Sequence, residues 1–144
     1  AHAGIGSPAV RRRLVERLEA AGLAPFTAIH PTASIGSLTT LGAGAVICAG
    51  VVISTGVTIG RHVHLNPRSI LGHDAILGDY ASVNPGAVVS GAVTIGPGVL
   101  VGAAATVLQL LDVGAGAVIG AGAVVTHSVP AGATAIGVPA RWEP

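Results

Sequence analysis

The chain has 144 residues, of which 51% are hydrophobic and 22 are glycine, yet it contains one Phe, one Tyr, one Trp and no lysine. With a formal net charge of +1, it lacks the broad basic surface and stacking aromatic rings of a nucleic-acid platform. Gly, Ser, Thr and Pro interrupt every apolar run before it reaches membrane-spanning length, so we expect no membrane insertion. The single cysteine, Cys48, excludes a disulfide framework and fits a cytoplasmic chain.

The N-terminal part of the chain differs in pattern from the rest. Residues 2–6 are predicted to be the end of a strand, and residues 26–29 a second strand. Between them we predict a helix, with Ser7 as N-cap and Pro8 as its first residue, because apolar residues follow at helical spacing. Four arginines lie within residues 11–17, and we predict that they form a solvated helix face rather than a phosphate site.

A period of six residues runs through the rest of the chain. Every sixth residue from Ile29 to Val125 is a branched aliphatic, and a mostly small or β-branched residue recurs four positions later. Neither a helix nor an ordinary strand repeats in sixes, so the period indicates an all-β solenoid. Three hexapeptides would close one triangular coil of 18 residues, which gives five to six coils with an interior too narrow for aromatic rings. Gly or Asn often follows the aliphatic residue, and we predict a positive φ there.

Several motifs resemble a known family. The stretches "IGPGVLVGAAATV", "LNPRSILGHDAILGDYASVNPGAVVSG" and "AIGVPARW" resemble the hexapeptide-repeat acyltransferases, and within them the sialic acid O-acetyltransferase and UDP-amino-sugar N-acetyltransferase group. The resemblance implies a left-handed parallel β-helix, a homotrimer, acetyl-CoA as cosubstrate and a small-molecule sugar acceptor. It also implies three parts: residues 1–28 as the strand-and-helix remnant of a truncated Rossmann-like nucleotide-sugar-binding domain, residues 29–136 as the β-helix, and residues 137–144 as a C-terminal tail.

His73 and Asp74 are the candidate catalytic pair. They follow Gly72 at the third and fourth positions of their hexapeptide, so both are predicted to point away from the core. An imidazole can accept a proton near neutral pH, and a carboxylate beside it can fix its tautomer. From the residues alone, a surface dipeptide without a role is the alternative. The resemblance implies that His73 is the general base for direct attack of an acceptor amine or hydroxyl on the thioester of acetyl-CoA, with Asp74 as its partner.

Two further residues are predicted to lie near this pair. Gly91 comes one coil after His73 and should stack beside it, leaving room for the thioester and offering a backbone N–H to the oxyanion. Asn66 matches an asparagine near the active site of the resembled group. A corner residue in positive φ is the alternative for Asn66, since Asn84 follows exactly one coil later.

The resemblance also implies three coenzyme contacts of a less specific kind. Ser82 stands where relatives often carry a second histidine that contacts the coenzyme, which is a departure from the pattern. Ala103 and Ala121 fall where the group makes main-chain contacts with the pantetheine arm. Backbone contacts accept any small side chain, so these two matches are permissive.

Two other functions stay open. His62 and His64 are predicted to line an outer face with His73 nearby, and three histidines could bind zinc as in the gamma-class carbonic anhydrases, which share the resembled fold. Their spacing does not resemble that family's ligands, and we expect no metal. A β-helix that only forms trimers, without catalysis, is the third possibility.

For the acetyltransferase, the sequence leaves open which sugar and which acyl chain are used, and whether nitrogen or oxygen is acylated.

Overall fold

The computed structural model describes residues 1–143. One helix, α1 (Pro8–Ala20), precedes a long series of two-residue strands. The strands recur every six residues as far as β17, and they are β1 (Ala28–Ile29), β2 (Ser34–Ile35), β3 (Thr40–Leu41), β4 (Val46–Ile47), β5 (Val52–Ile53), β6 (Thr58–Ile59), β7 (His64–Leu65), β8 (Ile70–Leu71), β9 (Ile76–Leu77), β10 (Ser82–Val83), β11 (Val88–Val89), β12 (Thr94–Ile95), β13 (Leu100–Val101), β14 (Thr106–Val107), β15 (Asp112–Val113), β16 (Val118–Ile119), β17 (Val124–Val125) and β18 (Thr134–Ala135).

These strands form three parallel sheets, which are the faces of a triangular prism. Sheet A contains β1, β4, β7, β10, β13, β16 and β18; sheet B contains β2, β5, β8, β11, β14 and β17; sheet C contains β3, β6, β9, β12 and β15. Pairing joins residues one coil apart, as Ile29 with Ile47 and Ile47 with Leu65. The chain therefore winds through about six coils, and the predicted parallel β-helix is confirmed.

The two predicted sets of inward residues fill the prism. From Ile47 to Val125, the aliphatic residue of each hexapeptide is at most 2% exposed. The residues four positions later are buried as well, as Val51 and Ala75 show, except for Leu111, which is partly buried. Stacked Val, Ile and Leu side chains thus form the core without aromatic rings.

The glycines beside the strands have a different role from the predicted one. The positive φ expected at Asn66 falls two residues later, at Arg68. Gly72, which follows β8 directly, is needed for space instead, because a Cβ atom there would lie 2.5 Å from the backbone nitrogen of Gly91. Successive coils approach so closely at these positions that a side chain does not fit.

Helix α1 is fixed to sheet A by a buried arginine. Arg11 is 0% exposed, and its guanidinium donates hydrogen bonds to the carbonyl oxygens of His62 and Ala81 and to the hydroxyl of Ser82. The prediction of a solvated arginine face is therefore wrong for Arg11. The physical reason is its position one turn before the buried Val15, on the same face of the helix.

Residues 2–6 form no strand, contrary to the prediction. The carbonyl oxygens of Ile5 and Gly6 accept hydrogen bonds from the side chain of Arg11, and that of Gly6 also accepts one from the hydroxyl of Ser82. Side chains thus take the place of a partner strand. This segment and α1 together cover part of sheet A. In residues 1–143 no helix has the length and apolar character needed to cross a membrane.

The C-terminal segment turns back onto the last coil. Ile136 and Arg141 form an antiparallel bridge, Ala140 is buried, and Trp142 packs against the core. Residues 137–143 of the predicted tail are thus attached to the β-helix. Pro144 lies outside the described residues.

Candidate active site

The side chains able to do chemistry lie at the edges of the prism, where the chain passes between sheets. We call the edge between sheets B and C the BC edge, and the edge between sheets A and B the AB edge. The BC edge comprises residues 36–39, 54–57, 72–75, 90–93 and 108–111, and the AB edge comprises residues 30–33, 48–51, 66–69, 84–87, 102–105 and 120–123. Residues one coil apart stack along each edge.

His73 and Asp74 contact each other on the BC edge. Atom Nδ1 of His73 lies 2.9 Å from Oδ2 of Asp74. Asp74 has a φ of 57°, and this left-handed turn brings the side chains of two adjacent residues together. The N–H of Asp74 donates to the carbonyl oxygen of Thr55 at 3.0 Å, and the carbonyl oxygen of His73 accepts from the N–H of Ala92 at 2.7 Å. Hydrogen bonds to both neighbouring coils therefore hold the backbone of the pair.

Gly91 lies against the other ring nitrogen. A Cβ atom at Gly91 would be 2.5 Å from Nε2 of His73, so the predicted stacking is confirmed. The Gly91 carbonyl oxygen accepts a hydrogen bond from Leu110 at 3.1 Å, whereas the Gly91 N–H has no partner among residues 1–143. With its proton on Nδ1, the imidazole presents a free lone pair at Nε2, close to an unpaired backbone N–H.

The pair is open to solvent in the single chain. The side chains of His73 and Asp74 are 63% and 68% exposed, so a substrate can reach both of them. Solvent screening makes the contact worth little for stability. The arrangement therefore points to chemistry rather than to folding as the reason for this pair.

Thr55 supports the pair from the preceding coil and was not predicted. Its carbonyl oxygen anchors the N–H of Asp74, and its own hydroxyl donates to the carbonyl oxygen of Ser37 at 2.9 Å. Counting one coil forward from His73 located Gly91. The same count backward would have located Thr55.

Asn66 lies on the AB edge, whereas His73 lies on the BC edge, so the width of sheet B separates them. Its amide nitrogen donates to the carbonyl oxygen of Val83 and to Oδ1 of Asn84, each at 3.2 Å. These bonds join two coils. Within one chain the structure does not bring Asn66 to the catalytic pair.

Ser82 lies on the outer face of sheet A and is 0% exposed. Its hydroxyl accepts a hydrogen bond from Arg11 at 2.9 Å and donates one to the carbonyl oxygen of Gly6 at 3.1 Å. The predicted coenzyme contact of Ser82 is therefore wrong for this chain. The N-terminal segment covers the side chain and supplies its hydrogen-bond partners.

Ala103 and Ala121 stack on the AB edge, where Ala103 is half-buried and Ala121 is exposed. The carbonyl oxygen of Ala103 accepts the N–H of Gly122 at 2.8 Å. Both alanines are separated by sheet B from His73 and Gly91. A single chain therefore distributes the predicted coenzyme contacts over the two edges that border sheet B.

His62 and His64 do not line an outer face near His73, so that prediction is wrong. They are 2% and 6% exposed, because α1 and residues 2–6 cover them. Nε2 of His62 lies 3.3 Å from Oε1 of Glu19. Burial lowers the pKa of His64 to about 3, and its Nε2 has no hydrogen-bond partner in residues 1–143. No three His, Cys, Asp or Glu side chains in the described part of the chain are placed to hold a metal ion.

A comparison with known protein families identifies a match in the middle of the chain. The family described as bacterial transferase hexapeptide (six repeats) matches residues 56–91, the segment that contains His73, Asp74 and Gly91. No curated protein matches the chain in the sequence comparison.

Solved structures extend the match to nearly the whole chain. A mutant of perosamine N-acetyltransferase from Caulobacter crescentus, in complex with CoA and GDP-perosamine, is 31% identical, with a TM-score of 0.96 over 99% of this chain and 68% of that chain. WeeI from Acinetobacter baumannii AYE is 33% identical, with a TM-score of 0.96 over 99% of this chain and 69% of that chain. The acetyltransferase domain of PglB from Neisseria gonorrhoeae FA1090, in complex with acetyl coenzyme A, is 32% identical, with a TM-score of 0.94 over the same shares of 99% and 69%.

The chain is a β-helix of hexapeptides with an outward His–Asp pair. Over almost its full length it is similar to a perosamine N-acetyltransferase and to the acetyltransferase domain of PglB, and these features define it as a transferase. The chain belongs to the hexapeptide-repeat sugar acetyltransferases, which have the left-handed parallel β-helix fold.

Proposed function

We propose that the chain transfers an acetyl group from acetyl-CoA to an amine or hydroxyl of a nucleotide-linked amino sugar, with His73 as general base. The observation that carries this proposal is the contact of 2.9 Å between Nδ1 of His73 and Oδ2 of Asp74 on the BC edge. The complexes of its relatives with CoA and GDP-perosamine, or with acetyl coenzyme A, support the donor and the class of acceptor.

The contacts of His73 suggest the order of steps. Asp74 accepts the Nδ1–H of His73, so Nε2 carries the lone pair that takes a proton from the acceptor. As this proton leaves, the acceptor nitrogen or oxygen forms a bond to the thioester carbonyl carbon, whose oxygen becomes an oxyanion. The N–H of Gly91 would donate to that oxyanion. When the intermediate collapses, the C–S bond breaks and the imidazolium returns its proton to the thiolate of CoA.

A homotrimer is the second part of the proposal. The outer face of sheet B carries an apolar row that includes Val52 and Ile70, which are 44% and 42% exposed. An apolar row of this kind favours association with a second copy. A neighbouring copy seated against sheet B would place its AB edge, with Ala103 and Ala121, beside His73 of the first. Such a site would reunite the predicted coenzyme contacts that one chain holds apart.

The test is a transfer assay with purified protein, acetyl-CoA and a panel of GDP-linked and UDP-linked amino sugars. We expect CoA release that depends on the acceptor, and a product heavier by one acetyl group. Fragmentation of the product tells nitrogen from oxygen as the site of acylation. Saturable binding of acetyl-CoA without transfer to any sugar would contradict the acceptor class, and no binding of acetyl-CoA by a confirmed trimer would contradict the donor.

Because acetyl-CoA is a cytoplasmic metabolite, this reaction would take place in the cytoplasm.

A further inference from the structure

Five residues stacked along the BC edge, one in each coil, have a left-handed backbone. They are Leu38, Gly56, Asp74, Ala92 and Leu110, with φ values of 57°, 71°, 57°, 53° and 62°. Four coils thus adopt this conformation with a side chain present, although it is strained for residues other than glycine. The backbone conformation alone therefore does not explain why residue 56 lacks a side chain.

The space beside Gly56 is occupied by the carboxylate of Asp74. A Cβ atom at Gly56 would lie 2.6 Å from Oδ1 of Asp74, so the exposed carboxylate would have to move away from it. The other carboxylate oxygen, Oδ2, is the one that lies 2.9 Å from Nδ1 of His73. Because a carboxylate rotates as one rigid group, a side chain that displaces Oδ1 also displaces Oδ2.

We propose that Gly56 is a positioning residue for the transfer reaction. Its missing side chain leaves room for the one orientation of the Asp74 carboxylate that bonds to His73. The inference rests on the proposed function, in which this bond keeps the proton on Nδ1 and the lone pair on Nε2. Gly56 and Gly91 then lie on either side of the pair, Gly56 giving space to the carboxylate and Gly91 to the imidazole.

The chain offers a matched control for backbone strain. Gly116 has a φ of 69°, close to the 71° of Gly56, and no atom lies within 4 Å of the position that its Cβ would take. It lies on the third edge of the prism, between sheets C and A. Alanine at Gly116 therefore introduces the same backbone strain as alanine at Gly56 without touching a catalytic side chain.

The experiment compares turnover in wild type, Gly56→Ala, Gly116→Ala, Asp74→Ala and the double variant Gly56→Ala/Asp74→Ala. We expect kcat of Gly56→Ala to fall at least about tenfold further than that of Gly116→Ala, because the base is no longer oriented. The KM for acetyl-CoA should stay within about twofold of wild type, since no contact with the donor is removed. In the Asp74→Ala background, Gly56→Ala should lower kcat no further than Gly116→Ala lowers it in the wild type, because the group that it displaces is absent and only backbone strain is left.

The possible outcomes separate this inference from the function on which it rests. Equal kcat values for Gly56→Ala and Gly116→Ala would overturn the positioning role. So would a loss in the double variant, relative to Asp74→Ala, that exceeds the loss caused by Gly116→Ala. His73→Ala is measured beside them, and wild-type turnover in that variant would refute the proposed base itself. If Gly56→Ala does not fold, folding recovered in the double variant supports the clash with Asp74. A double variant that also fails to fold, while Gly116→Ala folds, overturns the inference.

Discussion

Replacing Arg11 by methionine should release helix α1 from the β-helix. Outside its own segment, the Arg11 guanidinium donates to the carbonyl oxygens of His62, Tyr80 and Ala81 and to the hydroxyl of Ser82. Methionine keeps much of the apolar stem but offers none of these donors. The variant therefore leaves buried acceptors without partners, which costs more than the bonds alone would suggest.

The size of the effect follows from the number of bonds and their burial. Burial lowers the pKa of Arg11 to about 10, so the side chain is still a cation at neutral pH, and hydrogen bonds from a cation contribute about 1.5–3 kcal/mol each. The four bonds act together and are not additive. We therefore expect a loss of about 3–5 kcal/mol in the free energy that opens α1, which is more than one or two such bonds contribute at the lower bound and less than the sum of all four.

Native-state hydrogen exchange of the α1 amides measures this opening directly. A loss of about 3 kcal/mol corresponds to a fall in protection of about 100-fold. Arg13→Met is the matched control, since Arg13 lies exposed on the same helix, and its effect should stay within about 0.5 kcal/mol. Protection in Arg11→Met that falls no further than in Arg13→Met would refute the view that this arginine holds the helix in place.

Three further predictions concern stability and reactivity. Burial lowers the pKa of His64 from 6.5 to about 3, so below pH 6.5 the unfolded chain binds a proton that the folded chain does not. The free energy of unfolding should therefore fall as the pH drops from 6.5 towards 3, by up to about 1.4 kcal/mol per pH unit. Denaturation curves of His64→Val should show a flatter dependence on pH. Gly42→Ala should lower the thermal midpoint by the equivalent of about 1–3 kcal/mol, because its Cβ would lie 2.4 Å from a backbone carbon of Gly60, whereas Gly4→Ala should not. Burial raises the pKa of Cys48, so its thiol should react more slowly with a disulfide reagent at pH 7 than a free cysteine does, and rapid labelling of the folded protein would contradict this.

The fold could be predicted from the sequence because the repeat is strictly local. Each hexapeptide supplies one strand, one corner and two inward residues. Three hexapeptides make one coil, so the period of six residues from Ile29 to Val125 also predicts which strands pair between coils. The role of the glycines next to the strands could not be read in the same way. At Gly72 the requirement is the distance to the backbone of the next coil, which depends on how closely the coils stack rather than on local backbone preference.

The N-terminal segment shows where the repeat gives no guidance. Residues 2–6 and α1 pack on sheet A through contacts such as that between Arg11 and Ser82, which are 71 residues apart. The helical spacing of Arg11 and Val15 could have indicated a buried arginine. Nothing local indicates that Ser82 and His64 lie beneath it, so the coenzyme contact of Ser82 and the exposure of His64 were predicted wrongly.

The candidate site was predictable where it depends on stacking within one chain. The one-coil step places Gly91 beside His73, and the left-handed turn at Asp74 explains how adjacent side chains make contact. Ala103 and Ala121 lie across sheet B from this pair. Their role as coenzyme contacts stays a prediction, since it depends on a second copy of the chain.

Turnover of His73→Ala beside wild type tests the central claim most directly, with acetyl-CoA affinity measured by calorimetry on the same preparations. If His73 is the general base, kcat should fall by about 10²–10⁴-fold while the Kd for acetyl-CoA stays within about threefold of wild type. Wild-type kcat in His73→Ala would contradict the account. So would a loss of turnover explained entirely by lost acetyl-CoA binding, because His73 would then be an anchor for the coenzyme rather than the base.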